Sequence, residues 1–329
     1  MTPTTGLVLG SSMAPEELTI SAIRAEELGF QELWLSEDYF FTGGISGASS
    51  ALAATTELEV GLGIVSVMTR HPALLAMELA TIARQYPGRL RPGLGLGVPG
   101  WLRQMGLMPR SALTAMEECL SAVRRLLVGE TVSQHSDLYT FQDVALTYPL
   151  DTPLPLAMGV SGPKMLQLSG RVADASILSV CAGTEYVRWA RERIDEGRAE
   201  AGRNEPHRLT VFSIFSVDED GQRARDTARS TLAFYRSAGG ANALTDVYGI
   251  SEELRALLAQ GGAEHLEREM PQQWVEDLTI AGTPEECAAK IQALRDAGAD
   301  SVGLFPTPAA SAGRVISLAG ERVLPLLAS

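Results

Sequence analysis

The stretch that decides the fold is Glu59-Val60-Gly61-Leu62-Gly63-Ile64-Val65-Ser66-Val67, taken with the two segments downstream of it. The first of these, Pro72–Tyr86, places Leu75, Leu79 and Ile82 at helical spacing. Leu90-Arg91-Pro92-Gly93-Leu94-Gly95-Leu96 then makes a second, Gly-rich apolar run. A short apolar strand, an amphipathic helix and another apolar strand form a unit whose strands pair in parallel under helices.

Outward from there the unit recurs. Gly6–Ser11 and Glu32–Ser36 read as strands, and Pro15–Leu28 as a helix stopped by Gly29. Downstream, Leu113–Leu127 is an amphipathic helix that ends at Gly129. Pro155–Gly159, Ala175–Val180, Leu209–Val217 and Ser301–Leu304 read as further strands. Helices are expected from Pro163–Leu168 onward, over Glu185–Ala201 and Gln222–Tyr235, and at the end over Ala310–Leu327. Eight strand–helix units predict an α/β fold, a (β/α)8 TIM barrel, with residues 1–329 read as one domain. Two insertions decorate it: His135–Tyr148 after the fourth helix, expected to be a β-hairpin, and Gly239–Leu278 before the eighth strand. The competing open doubly wound sheet would carry G-x-G-x-x-G after its first strand. Here Gly93-Leu94-Gly95-Leu96-Gly97 lies at the fourth.

Composition narrows the function. The chain has 329 residues, 45% of them hydrophobic, without the ~18 consecutive apolar residues of a membrane helix. Met1-Thr2-Pro3-Thr4-Thr5 lacks a signal peptide's basic start, and Cys119, Cys181 and Cys287 are too dispersed for a disulfide framework. A cytoplasmic setting is expected. The net charge of −13 repels phosphate backbones, so neither nucleic acid nor a membrane surface is an expected partner. A small-molecule substrate is, because a few backbone N–H groups can still hold a local anion.

A barrel's active site forms at the C-terminal strand ends. Those ends read Ser11-Ser12, Glu37-Asp38-Tyr39, Ser66–His71, Gly97–Trp101, Val160–Lys164, Ser179–Thr184, Ser216 and Phe305–Thr307. There is no H-E-x-x-H or G-x-S-x-G, the four His do not cluster, and no metal is expected. Few acids and many glycines suit a cofactor that carries the reactive atoms itself. Val160-Ser161-Gly162-Pro163-Lys164 leaves a strand and opens a helix on small residues, as a phosphate-holding turn would; an ordinary strand–helix turn would read alike. Glu37 and Asp38 are adjacent carboxyls suited to acid–base work or to capping. Arg70-His71-Pro72 reads as loop chemistry before a helix start.

With Glu32–Asp38, Gly61–Ala73, Gly88–Gly97, Met158–Leu166, Ala173-Asp174 and Ala281–Glu286, the chain resembles the luciferase-like monooxygenase superfamily over nearly its whole length. Within it, the likeness is to the coenzyme F420-dependent branch that includes methylenetetrahydromethanopterin reductase. The resemblance implies a cofactor at the strand ends and a bulge with a cis peptide at Gly63-Ile64 behind its ring. It also implies a phosphate turn at Val160, Ser161, Gly162, Pro163 and Lys164, and a second cofactor loop from Ser179 to Gly183. Ser66 and Gly97, at the ends of the third and fourth strands, complete the expected cofactor-binding set. Glu37 and Asp38 fall where F420-dependent relatives often carry Asp-His, and are the expected catalytic pair. Relatives that oxidise sugars use a Glu after strand four, where this chain has Gly97-Val98-Pro99-Gly100-Trp101, so sugar-phosphate oxidation is not expected.

The expected function is F420-dependent hydride transfer to a C=C or C=N centre of a small organic substrate. The alternatives are an FMN-dependent two-component monooxygenase and a non-catalytic flavin-binding homologue. A homodimer is expected through the apolar helices Leu74–Ala83 and Leu113–Leu127.

Overall fold

The computed structural model describes residues 2–10 and 13–327. Ser11 and Ser12, expected at the mouth, lie outside the described residues. The chain runs β1 (Thr4–Leu9), α1 (Pro15–Glu27), β2 (Glu32–Leu35), α2 (Gly44–Ala54), β3 (Glu59–Ser66), α3 (Pro72–Gln85), β4 (Leu90–Gly95), α4 (Pro99–Gln104) and α5 (Ala112–Leu127). A hairpin comes next, β5 (Val132–His135) and β6 (Thr140–Val144). Then come β7 (Ala157–Val160), α6 (Pro163–Val172), β8 (Ala175–Leu178), α7 (Thr184–Glu200), β9 (Arg208–Val217) and α8 (Gly221–Gly239). The last third holds α9 (Ala243–Val247), α10 (Ser251–Glu269), α11 (Gln272–Leu278), β10 (Thr279–Gly282), α12 (Pro284–Asp296), β11 (Ser301–Pro306), α13 (Ala312–Leu318) and α14 (Leu324–Leu327).

β1-β2-β3-β4-β7-β8-β9-β11 close into a ring of parallel strands, with β11 returning to β1 and β8 joining β9. This is the (β/α)8 barrel the strand count predicts. Glycines make room for its filling. A Cβ at Gly61 would stand 2.2 Å from the Trp34 indole, and one at Gly63 would stand 2.6 Å from Phe212. Those two rings meet edge-on, with centroids 5.4 Å apart, inside the barrel. Below them Glu32 is buried and fully engaged. It accepts from Thr4 Oγ1 at 2.7 Å, Trp34 Nε1 at 2.8 Å and Ser301 Oγ at 2.6 Å, and it pairs with Arg208. A buried carboxylate is tolerable only with this degree of satisfaction.

The final third corrects the sequence reading. Gln222–Tyr235 is helical, inside α8, and follows the seventh barrel strand as expected, but a further strand and helix come before the eighth. β9 extends past the barrel and pairs with β10, from Thr279↔Ile214 to Gly282↔Val217. The helix before the last barrel strand is α12, started by Thr283, Pro284 and Glu286 as a capping box. α8 packs on β9 and β10 and carries its C-terminal half to the strand ends. Thr231 hydrogen-bonds Thr307, and Tyr235 packs edge-on to Phe305 at 5.9 Å. The hairpin exists but lies upstream of its expected position, running from Val132 to Val144. It anchors the mouth: Tyr139 donates from its hydroxyl to the Val67 carbonyl at 2.8 Å, and His71 packs on Phe141 at 4.7 Å.

Candidate active site

The β2 end carries the acidic pair, and the two carboxyls have different environments. Glu37 is buried, and Arg70 grips it bidentately, Nη1 to Oε1 at 2.6 Å and Nη2 to Oε2 at 2.9 Å. The Gly44 N–H donates to Oε2 at 2.8 Å. The carboxylate beside it raises the Arg70 pKa further, chiefly through their hydrogen bond. Glu37 therefore fixes geometry: it fastens the β2 end to the β3 end and to the start of α2. Asp38 is half-buried. It lines, with Tyr39, Phe40, Phe41, Thr69, Arg70 and Met105 among others, an open cavity of about 470 Å³. Burial pushes the Tyr235 phenol up, and the Asp38 charge adds to this.

At β3 the ladder with β4 shifts register between Leu62 and Val65, a bulge, and the Gly63–Ile64 peptide is cis. The Ile64 side chain lies in a trough of missing side chains. A Cβ at Gly95 or at Gly159 would each come within 2.7 Å of it, and one at Gly93 within 3.3 Å. Ser66 ties the strand ends together, donating to the Leu96 carbonyl at 2.6 Å and accepting from the Met68 N–H at 3.1 Å. Gly97 turns the chain out of β4 at φ +91°, a conformation that suits glycine. His71 caps α3, its Nδ1 accepting from the Ala73 N–H at 3.2 Å.

On the opposite side, β7 ends at the buried Val160. Ser161 is exposed, and its carbonyl accepts from the Tyr186 hydroxyl. Gly162 is the N-cap of α6, and no side chain among the described residues caps it. Pro163 follows as the first helical residue, and Lys164 is exposed beside it. A Cβ at Gly162 would meet nothing within 4 Å among the described residues, so the helix start is open to approach. Free N–H groups, the helix dipole and a nearby Lys together suit an anion. In the next loop Ser179 is exposed, whereas Gly183 is buried. A Cβ there would lie 2.0 Å from the Asp277 carbonyl and 2.4 Å from the Tyr248 hydroxyl, so this glycine serves close packing of the insertion. Sequence reasoning passed over Tyr186, Tyr235 and Arg236, which α7 and α8 bring to this side.

The strand ends thus present a bulged third strand and an α6 N-terminus open to an anion. A family model for luciferase-like monooxygenases matches residues 1–301, and the chain belongs to that family. The 5,10-methylenetetrahydromethanopterin reductase of Methanolobus tindarius is 27% identical over 307 residues, covering 91% of this chain and 93% of the relative. The F420-dependent glucose-6-phosphate dehydrogenase of Nakamurella multipartita is 28% identical over 95% of this chain and 93% of its own length. The coenzyme F420-dependent tetrahydromethanopterin reductase structure from Methanopyrus kandleri superposes with a TM-score of 0.87 over 99% of both chains, at 23% identity.

Proposed function

We propose that this chain is an F420-dependent oxidoreductase that reduces a C=C or C=N bond of a small organic substrate. The observation that carries the reading is the bulge at Gly63–Ile64, whose Ile64 side chain packs over Gly93, Gly95 and Gly159, in a chain whose relatives over nearly its whole length include a 5,10-methylenetetrahydromethanopterin reductase and an F420-dependent glucose-6-phosphate dehydrogenase. The residues fit the cofactor: Gly162, Lys164 and the open α6 N-terminus suit its phosphate. When bound, the deazaflavin supplies the hydride equivalent. The chain's own part is to orient, to keep water out and to manage a proton. Arg70 and Glu37 hold the β2 and β3 ends in register. Tyr39, packed against Trp101 at 6.0 Å, walls the mouth. Asp38 is the group placed to hold and deliver the proton.

Substrate choice rests on Gly97–Trp101, which supplies no carboxylate after β4, against sugar oxidation as the native reaction. Three buried free cysteines accord with a cytoplasmic setting, and no helix among the described residues is long and apolar enough to cross a membrane. α3 supports the homodimer. It buries Leu75, Ala76, Leu79 and Ile82 in its own chain but exposes Leu74 and Met77 by half. α5 buries its apolar stripe within its own chain. A monomeric mass by light scattering would remove the pairing. Titration with F420 tests the main reading: the deazaflavin fluorescence quenches on binding, and the reduced cofactor is consumed with a panel of unsaturated substrates. Turnover of reduced FMN with O₂ in place of F420 would overturn it in favour of a monooxygenase.

A further inference from the structure

Arg236 takes a place in α8 where an apolar residue belongs. Ala228, Leu232 and Ala233 form the buried stripe, and Arg236 continues it at 6% exposure. Its Nε and Nη1 are buried and have no hydrogen-bond partner among the described residues. Its polar company includes the Cys181 thiol, itself fully buried, which burial pushes up in pKa and the guanidinium pulls down. The last-turn carbonyls of α8 favour a cation only weakly against the cost of burying one unpaired. A buried guanidinium with unmatched donors is completed by an anion that binds.

The surroundings leave a place for that anion. A Cβ at Gly239, which is exposed, would stand 3.5 Å from Arg236 Nη2 and 3.9 Å from Asn242 Nδ2, with no other neighbour within 4 Å among the described residues. Asn242 Oδ1 accepts from the Leu244 N–H at 3.1 Å, which turns the amide nitrogen toward the same point. Two donors from consecutive helices thus flank an open spot at the α8–α9 junction. We propose that Arg236 and Asn242 form an oxyanion site there, taking a phosphate or carboxylate group carried by a molecule held at the barrel mouth. Nη2 is the guanidinium nitrogen that faces this spot, and a charge-assisted hydrogen bond from it suits either group. The location supports a carrier in the mouth: Cys181 belongs to the loop after β8, and Tyr186, whose phenol feels the Arg236 charge, donates to the Ser161 carbonyl of the phosphate turn. The carrier is the coenzyme's tail or the substrate; only that choice rests on the F420 reading.

Thermal unfolding with inorganic phosphate, against chloride at equal ionic strength, tests the site without any cofactor. Phosphate should stabilise the wild-type chain, and the shift should vanish in Arg236→Met and in Gly239→Ala. The second variant fills the spot with a methyl while leaving the charge, at a position whose backbone accepts alanine. Without phosphate, Arg236→Met should be at least as stable as wild type. Calorimetric titration then finds the carrier. A fall in F420 affinity of at least tenfold in Arg236→Met, with a phosphate-free deazaflavin unaffected, assigns the oxyanion to the coenzyme. Unchanged F420 affinity with the phosphate shift lost assigns it to the substrate. Wild type that binds no F420 but keeps the phosphate response would refute the F420-dependent function and leave this site standing. A phosphate shift that persists in both variants, or one missing from wild type, overturns the proposal.

Discussion

The two sides of the mouth treat charge differently. At the β2–β3 side the Glu37–Arg70 pair is matched from within: Glu37 holds two guanidinium nitrogens and a backbone N–H, and Arg70 also approaches Glu78 at 3.4 Å. At the β7–β8 side the positive groups face outward or lack partners: an uncapped helix start, an exposed Lys164 and a buried Arg236. Matched charge is scaffolding, because its interactions are complete before any ligand arrives. Unmatched positive potential beside small residues is where an anionic molecule gains most.

The sharpest test separates the two neighbours Glu37 and Asp38. Asp38→Asn should lower turnover by ~10²–10⁴-fold while F420 affinity is unchanged, the signature of a lost proton donor. Steady-state kinetics at saturating cofactor measures it, and wild-type rates would leave water as the proton source. Arg70→Met addresses the matched side. Removing the cation strands the buried Glu37 carboxylate and should cost about 3 kcal/mol in denaturant unfolding. Arg236→Met, on the unmatched side, should cost nothing. Equal losses in both variants would erase the contrast.

Much of this was legible in the sequence, and the failures have local causes. β3, α3 and β4 declared themselves because their apolar residues fall at the periods of strand and helix. α2 was missed because its buried positions, Gly44, Ala48, Ala51 and Leu52, keep helical spacing with residues too small to read as apolar. β10 and α12 carried a plain signal: Thr283-Pro284-Glu285-Glu286 is a capping box with proline at the first turn. That signal lost to the stronger apolar pattern of α8. Asp38 and Gly162 were visible from their positions at strand ends. Arg236 was not, although an Arg four residues beyond Leu232 on an apolar stripe is a readable anomaly.

His207 asks whether charge is matched at the feet of the same strands that leave it unmatched at the mouth. It immediately precedes β9, is buried, and its Nε2 hydrogen-bonds Ser176 Oγ at 2.8 Å. Burial lowers its pKa to about 4 from 6.5, aided by Arg191, Arg198 and Arg203 and opposed by Asp174. The unfolded chain therefore binds the proton more readily. The resulting stability is complete above pH 6.5 and is lost as pH falls toward 4, about 2 kcal/mol of it by pH 5. Unfolding free energies at pH 7 and 5 measure this, and His207→Gln should flatten the slope. An unchanged slope would mean that other groups govern acid stability.

The smallest effect concerns Lys164, and salt is the discriminating variable. Lys164 is exposed, so a bound phosphate feels it through water and counterions. Reversing its charge in Lys164→Glu replaces a weak attraction with a weak repulsion, on the order of tenfold in F420 affinity at low salt. That loss should shrink as ionic strength rises, since exposed charges are screened within about 8 Å at physiological salt. Gly162→Val acts by another route. Its Cβ meets nothing within 4 Å among the described residues, so the fold tolerates it, yet the branched side chain stands where a ligand must approach the α6 N–H groups. Its loss should hold at high salt, because sterics are not screened. Fluorescence titrations at two salt concentrations therefore separate charge from shape at one turn. If both variants bind F420 as wild type does, the phosphate is not at α6. The Arg236–Asn242 site would then become the place to look for it, and the two halves of the β7–β8 side would exchange roles.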